Sequence, residues 1–258
     1  MKCLVTGASS GIGKEMAKCL SKLGHEVILV SKDKVKLEKV SKSLERSSIY
    51  LCDLSKSDEV DGLLKFILKE KPEVVINDAG FGAFGNYKEV TLEREMEMLE
   101  VNVKSLHKIT KTCLKYMDSN NYIMNVASIA GLLPGGPLLG TYYATKSYVR
   151  SYSLGIYEEL RRNGSKVSIS VLCPGPVDTN FNNVAGGHFS INSKTSEFVG
   201  SYAIRKMFKK KLIIVPGLDV KLGYIAGKFL PIKLVLKVLY KVEHRKRRVK
   251  WIEEMVRE

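Results

Sequence analysis

Thr6-Gly7-Ala8-Ser9-Ser10-Gly11-Ile12-Gly13, directly after the apolar run Cys3-Leu4-Val5, is the stretch that decides the fold. A short apolar run reads as a buried strand, and glycines behind it permit a tight turn with close approach of backbone to a ligand. A helical pattern begins at Gly13, so the turn would present the free N–H groups of a helix start to a pyrophosphate. The spacing is G-x-x-x-G-x-G rather than G-x-G-x-x-G. A P-loop ending in Lys14 is excluded, because it needs glycine at Ala8 and a hydroxyl at Glu15. Taken alone, the turn reads equally as a phosphate cradle and as structural punctuation.

Outward from this turn, short apolar runs alternate with longer helical patterns. Strands are expected at Cys3–Val5, Glu26–Val30, Ile49–Leu51, Glu73–Ile76, Tyr122–Val126, Lys166–Leu172 and Leu212–Val215. Helices are expected near Gly13–Leu23, Asp33–Leu44, Lys56–Glu70, Thr91–Met117, Tyr142–Asn163 and Thr195–Lys211. Such alternation implies βαβ units, a doubly wound parallel sheet of about seven strands, and helices on both faces. Two long connections, Ser128–Gly140 and Pro174–Lys194, are rich in Gly, Pro, Ser and Asn, and long loops after strands are where such sheets bind ligands.

The chain of 258 residues fits one large α/β domain, 1–258, better than two. With 45% apolar and 27% charged residues it excludes disordered, collagenous and coiled-coil classes. The net charge of +15 is concentrated late, since Ser201–Glu258 holds 16 basic and 5 acidic residues. Five cysteines are scattered without a C-x-x-C pair, which predicts neither a disulfide framework nor a zinc site and implies a reducing cytoplasm. Four histidines without H-x-x-x-H spacing likewise predict no metal. Lys2–Val5 leaves no room for a signal peptide. The uncharged stretch Ser119–Thr145 is broken by Gly131, Pro134, Gly135, Gly136, Pro137 and Gly140, so it does not read as a membrane span.

Three groups of residues could carry chemistry. Ser31 and Lys32 follow the second strand, where an acid would grip the ribose hydroxyls of NAD(H) and a cation would accept the 2′-phosphate of NADP(H). The acid is missing, which favours NADP(H); the alternative is that Lys32 belongs to a solvated charge run with Asp33, Lys34 and Lys36. Tyr142 and Lys146 lie four apart on one helix face, and an ammonium beside a phenol would lower its pKa and make it a usable acid/base. Tyr143 competes, but its partner four residues on is the uncharged Ser147. Ser128 ends the fifth strand 14 residues before Tyr142, placed to hold a carbonyl oxygen. Hydrolase chemistry is poorly supported, because no G-x-S-x-G surrounds Ser128.

On the Thr6–Gly13 turn, Cys52-Asp53-Leu54, Asn77-Asp78-Ala79-Gly80, Val101-Asn102-Val103, Ser128, Tyr142-x-x-x-Lys146 and Pro174-Gly175-Pro176-Val177-Asp178-Thr179, taken in order, the chain from Lys2 to about Val215 resembles the short-chain dehydrogenases/reductases. These are NAD(P)(H)-dependent oxidoreductases with an extended Rossmann fold. Asp78 departs from the resemblance, since the family usually has a second Asn there. The resemblance implies that Gly7, Ser9, Ser10, Gly11, Ile12 and Gly13 hold the cofactor, with Asp53 and Leu54 at the adenine and Asn77, Ala79 and Gly80 along the adenosine. Pro174, Gly175, Val177 and Thr179 would cover the nicotinamide. It further implies hydride transfer between nicotinamide and a carbonyl carbon. Tyr142 would donate the proton, Ser128 polarise the carbonyl, Lys146 bind ribose, and Asn102 hold a water of the proton relay. Asn102 also reads as no more than a partner for a neighbouring N–H.

The remaining expectations concern partners. The 217–258 tail reads as a basic, partly amphipathic helix, with Lys233, Lys237 and Lys241 at i, i+4, i+8. It would lie on an anionic membrane, cover a greasy pocket, or pack on its own domain or a second subunit with the lysines in water. Nucleic-acid binding is disfavoured, because from Ile232 onward aromatics other than Tyr240 and Trp251 are missing. The Pro174–Lys194 connection mixes Phe181, Val184, Ala185 and Phe189 with Asn180, Asn182, Asn183 and Asn192, and Gly186 and Gly187 would let it move. It predicts a small-molecule, apolar carbonyl or alcohol substrate. The resemblance implies a homodimer or homotetramer. The second class of function is a non-catalytic, NADP(H)-sensing protein on the same fold.

Overall fold

A computed structural model describes residues 1–118, 120–179, 181, 185 and 193–255, without side chains at 223, 225–228 and 245–255. The alternation in the sequence becomes β1 (Lys2–Thr6), α1 (Gly11–Lys22), β2 (Glu26–Ser31), α2 (Lys34–Ser41), β3 (Ser47–Leu51), α3 (Ser57–Glu70) and β4 (Val74–Asn77). A second half follows with α4 (Leu92–Leu99), α5 (Leu106–Cys113), β5 (Tyr122–Val126), α6 (Gly140–Arg162) and β6 (Ser168–Leu172). Beyond it lie β7 (Val177–Asp178), β8 (Lys194–Thr195), α7 (Ser196–Phe208), β9 (Ile213–Ile214), α8 (Leu218–Lys228) and α9 (Ile232–Met255).

The inner strands β1, β2, β4, β5 and β6 are nearly continuous buried runs because both faces of the sheet are covered there, whereas the edge strand β3 is only partly covered. Cys3 and Val5 of β1 point into a core shared with α1 and α7, around Met16, Leu20, Val199 and Met207. Leu4 between them points into the opposite core, with Leu63 and Ile67 of α3 and Ile109 of α5. Seven strands pair in parallel in the order β3-β2-β1-β4-β5-β6-β9. The order reverses between β1 and β4, so a crevice opens at their carboxyl ends, where doubly wound sheets take ligands. This is the Rossmann-type α/β fold expected.

Three elements differ from expectation. The helix read over Thr91–Met117 is broken into α4 and α5 by a π-helical turn, Glu100–Ser105, whose extra residue per turn swings Asn102 fully inward. Inside the connection Pro174–Lys194, β7 pairs with β8 through Val177–Lys194 and Asp178–Thr195. Of its other residues, Asn180, Asn182, Asn183, Val184, Gly186, Gly187, Phe189 and Asn192 lie outside those described. Pro231 divides the tail into two helices. Val235 and Glu243 of α9 are buried against the domain, whereas Leu234, Val238 and Val242 remain exposed beside the lysines.

Candidate active site

The crevice is a cleft of about 430 Å³ running from the β1–α1 turn to the start of α6. At its nucleotide end Gly7 and Gly11 sit at φ +69° and +55°, in the left-handed region that glycine alone adopts freely. A Cβ on Gly7 would lie 2.9 Å from the Ala79 nitrogen, so the turn and the β4 loop touch backbone to backbone. Ser10 is the N-cap of α1, yet its side chain makes no cap hydrogen bond. That helix start therefore keeps amide N–H groups for an anion, and the residues fit a dinucleotide diphosphate.

Ser9, Ser10, Ile12, Ser31, Lys32, Asp53, Leu54, Ala79 and Gly80 all reach the cleft. Ser31 Oγ donates to Ser9 Oγ at 3.0 Å, and Lys32 Nζ pairs with Asp53 Oδ2 at 3.3 Å across the adenosine end. Burial pushes the Asp53 carboxyl up, but bonds from the Ser55 N–H and hydroxyl and from Lys32 outweigh it and hold it below the usual carboxylate range. Pro174, Gly175, Val177 and Thr179 form the facing wall.

At the other end Ser128, Tyr142 and Lys146 converge. Ser128 caps a 3-10 turn, Ile129–Leu132, accepting the Ala130 N–H at 3.2 Å, and its hydroxyl is bonded to the Tyr142 phenol. Lys146 Nζ donates to the Val126 carbonyl at 2.9 Å and stands 5.9 Å from the Tyr142 ring centre. The expected lowering of the phenol pKa is not found. Burial pushes Tyr142 up to about 12, the Ser128 bond opposes this, and the nearby Asp78 charge adds to it. The ammonium points at a carbonyl instead of the phenol, and burial lowers Lys146 to about 8 while Asp78 supports its charge. Tyr143 is buried beneath Gly136, so tightly that no Cβ fits there, and burial and then Glu243 push its phenol further up.

Three residues expected at the site stand behind it. Asn77 is buried between strands, its Nδ2 donating to Thr110 Oγ1 at 3.2 Å and Asn125 Oδ1 at 2.9 Å, in a network that continues to Ser153. Asn102 accepts the Phe81 N–H at 3.0 Å and donates to the Phe81 carbonyl at 2.8 Å and Thr145 Oγ1 at 3.1 Å. Both its side-chain N–H donors are thus engaged by protein, as the reading of a partner for a backbone group expects. Gly13 packs under Asp78, where a Cβ would lie 2.6 Å from Oδ2.

Two contributions escaped the sequence. Arg94 stacks its guanidinium 4.0 Å over the Phe81 ring and binds Glu97 Oε2 at 2.7 Å, and both charged residues border the cleft. Glu243 of α9 reaches the same cleft near Tyr143, so the tail closes its far end. The one signal for it was its isolation, as the single acid between Asp219 and Glu253 in a basic run. Among the described residues no cluster of three metal-ligating side chains occurs, and no helix is long and apolar enough to cross a membrane.

The chain is 30% identical over 181 residues to a Staphylococcus epidermidis protein described as an uncharacterized oxidoreductase, covering 68% of this chain and 77% of that one. A Staphylococcus aureus protein of the same description is 33% identical over 182 residues, covering 68% and 78%. Among solved structures, a short-chain dehydrogenase from Sphingobium yanoikuyae in complex with NADPH superposes with a TM-score of 0.78 at 24% identity, over 87% of this chain and 91% of that one. One from Burkholderia phymatum in complex with NAD gives 0.79 at 22%, over 87% and 91%. The family model for the short chain dehydrogenases matches residues 2–187. With that match over most of its length, and with the fold and cleft described, the chain belongs to the short-chain dehydrogenase family, oxidoreductases acting on CH–OH and C=O groups.

Proposed function

We propose that the protein reduces an apolar ketone, aldehyde or 3-oxoacyl-type carbonyl with NADP(H), the single 1–258 domain being completed by its 217–258 tail. The observation that carries this reading is the meeting of Ser128, Tyr142 and Lys146 at the inner end of a dinucleotide-shaped cleft. The cofactor supplies the hydride. Tyr142, a phenol held protonated up to about pH 12, donates the proton to the carbonyl oxygen, which suits reduction. Ser128 donates a hydrogen bond to the same oxygen, and Lys146 places a positive charge beneath both. Ile129, Leu139 and Phe181 keep this end apolar, which supports the substrate class. A non-catalytic, cofactor-sensing role would have no use for the three groups together. Tyr142→Phe should lower kcat at least a hundredfold and leave NADPH titration within a few-fold; turnover near wild type would redirect the acid role to Tyr143.

NADP(H) preference is supported by the missing acid after β2 and by Lys32, exposed at the rim and paired, among the described residues, with Asp53. Lys32→Asp should weaken NADPH much more than NADH. Equal losses in a fluorescence titration would reduce Lys32 to a surface charge. A homodimer or homotetramer is supported by the Tyr148 ring, exposed on α6 and stacked on Tyr152, which stacks in turn on His107 of α5. The free cysteines, four of them buried, support action in the cytoplasm, and the exposed Leu234, Val238 and Val242 beside lysines support peripheral membrane contact there.

A further inference from the structure

A second pocket, of about 370 Å³, lies on the far side of the Ile129–Leu132 turn and, among the described residues, shares no wall residue with the cleft. Leu132, Ile232 and Val235 make it apolar, while Ser147, Arg150 and Tyr224 bring polar groups to it. Arg150 is partly withdrawn from water, its Nε is buried without a hydrogen-bond partner, and it forms no ion pair among the described residues. The titratable group beside it gives no counter-charge, since burial pushes the Cys173 thiol up to about 12 and keeps it neutral. A guanidinium cannot shed its proton, and its buried Nε–H is a donor left without an acceptor, which is costly. Its planar fork fits a carboxylate, and the walls beyond fit hydrocarbon.

We propose that this pocket binds an aliphatic carboxylate, with its head on Arg150 and its chain between the 3-10 turn and the start of α9. A single cation among the described lining residues, set in apolar walls, suits a monoanion with a tail better than a free phosphate. Occupancy would be felt at the reaction site, because Gly131 packs so closely on the Lys146 carbonyl that no Cβ fits between them.

The test is calorimetry on the full chain saturated with NADPH, using sodium dodecanoate, dodecan-1-ol and inorganic phosphate as probes. Dodecanoate is expected to bind once per chain, with dodecanol at least tenfold weaker and phosphate undetectable. Arg150→Met should weaken dodecanoate at least tenfold, and Ile232→Glu, which brings a carboxylate of its own to the opposite wall, should do the same. Tyr142→Phe, in the other cleft, should leave the affinity unchanged. No dodecanoate binding to the wild type, or an affinity indifferent to both pocket variants, overturns the proposal. So does phosphate binding as tightly as dodecanoate, or a change of sedimentation coefficient in Arg150→Met without dodecanoate binding, which would give the pocket to a second copy of the chain.

Discussion

Asp78 accepts the Gly13 N–H inside α1 and lies close enough to Lys146 and Tyr142 to act on the ionisation of both. Burial pushes its pKa up to about 7, against the pull of Lys146 and of the Gly13 bond. An unfolded aspartate titrates near ~3.9, so between those values the folded chain binds the extra proton. Stability from this group is therefore whole at acid pH and is lost as the pH rises through about 7. Lys146, lowered to about 8, remains charged over most of that window and changes little within it. Asp78→Asn keeps an acceptor for Gly13 and removes the titration, at the cost of the counter-charge to Lys146. The variant should melt several degrees above wild type at pH 8 and near it at pH 4, read by thermal denaturation at both pH values. A gap that ignores pH would mean that Asp78 does not change ionisation in this range.

At the scale of elements, the strands of the seven-stranded sheet were legible to within about two residues because most are short apolar runs buried on both faces, as Cys3, Leu4 and Val5 show by dividing between two cores, whereas the two-residue β7 and β8 carry no such run. The reactive end of the site was legible for a similar reason: an i, i+4 pair on a helix start has one geometry, so Tyr142 and Lys146 had to share a face. Their electrostatics were not legible. A spacing places two side chains together but does not say that the Val126 carbonyl takes the ammonium or that Asp78 stands behind it. The π-helical turn was hidden because one inserted residue hardly alters apolar periodicity over Thr91–Met117, although it is what aims Asn102 at the Phe81 backbone. Glu243 and Arg150 depend on where α9 returns across the domain, a tertiary path that no local pattern encodes.

For the whole molecule, the tail has two faces with separate uses. Val235 and Glu243 are buried, so removing everything from Leu230 onward would open the cleft and confound any test of lipid binding. The outward side carries Leu234, Val238 and Val242 next to Lys233, Lys237 and Lys241, and Phe229, 84% exposed, precedes it. Apolar side chains left in water next to a stripe of cations match the chemistry of an anionic bilayer surface, where each basic residue contributes roughly 1 kcal/mol and the apolar groups add to it. Leu234→Glu with Val238→Glu alters this side alone, since both positions are exposed, and should spare melting temperature and turnover. Wild-type protein should sediment with phosphatidylserine-containing vesicles at low salt, release as salt is raised, and ignore purely zwitterionic vesicles. The double variant should lose at least tenfold in partitioning. If wild type ignores the anionic vesicles at low salt, the membrane role falls. If the double variant instead changes the sedimentation coefficient, the exposed stripe is an interface between copies, and the lysines are its solvated margin.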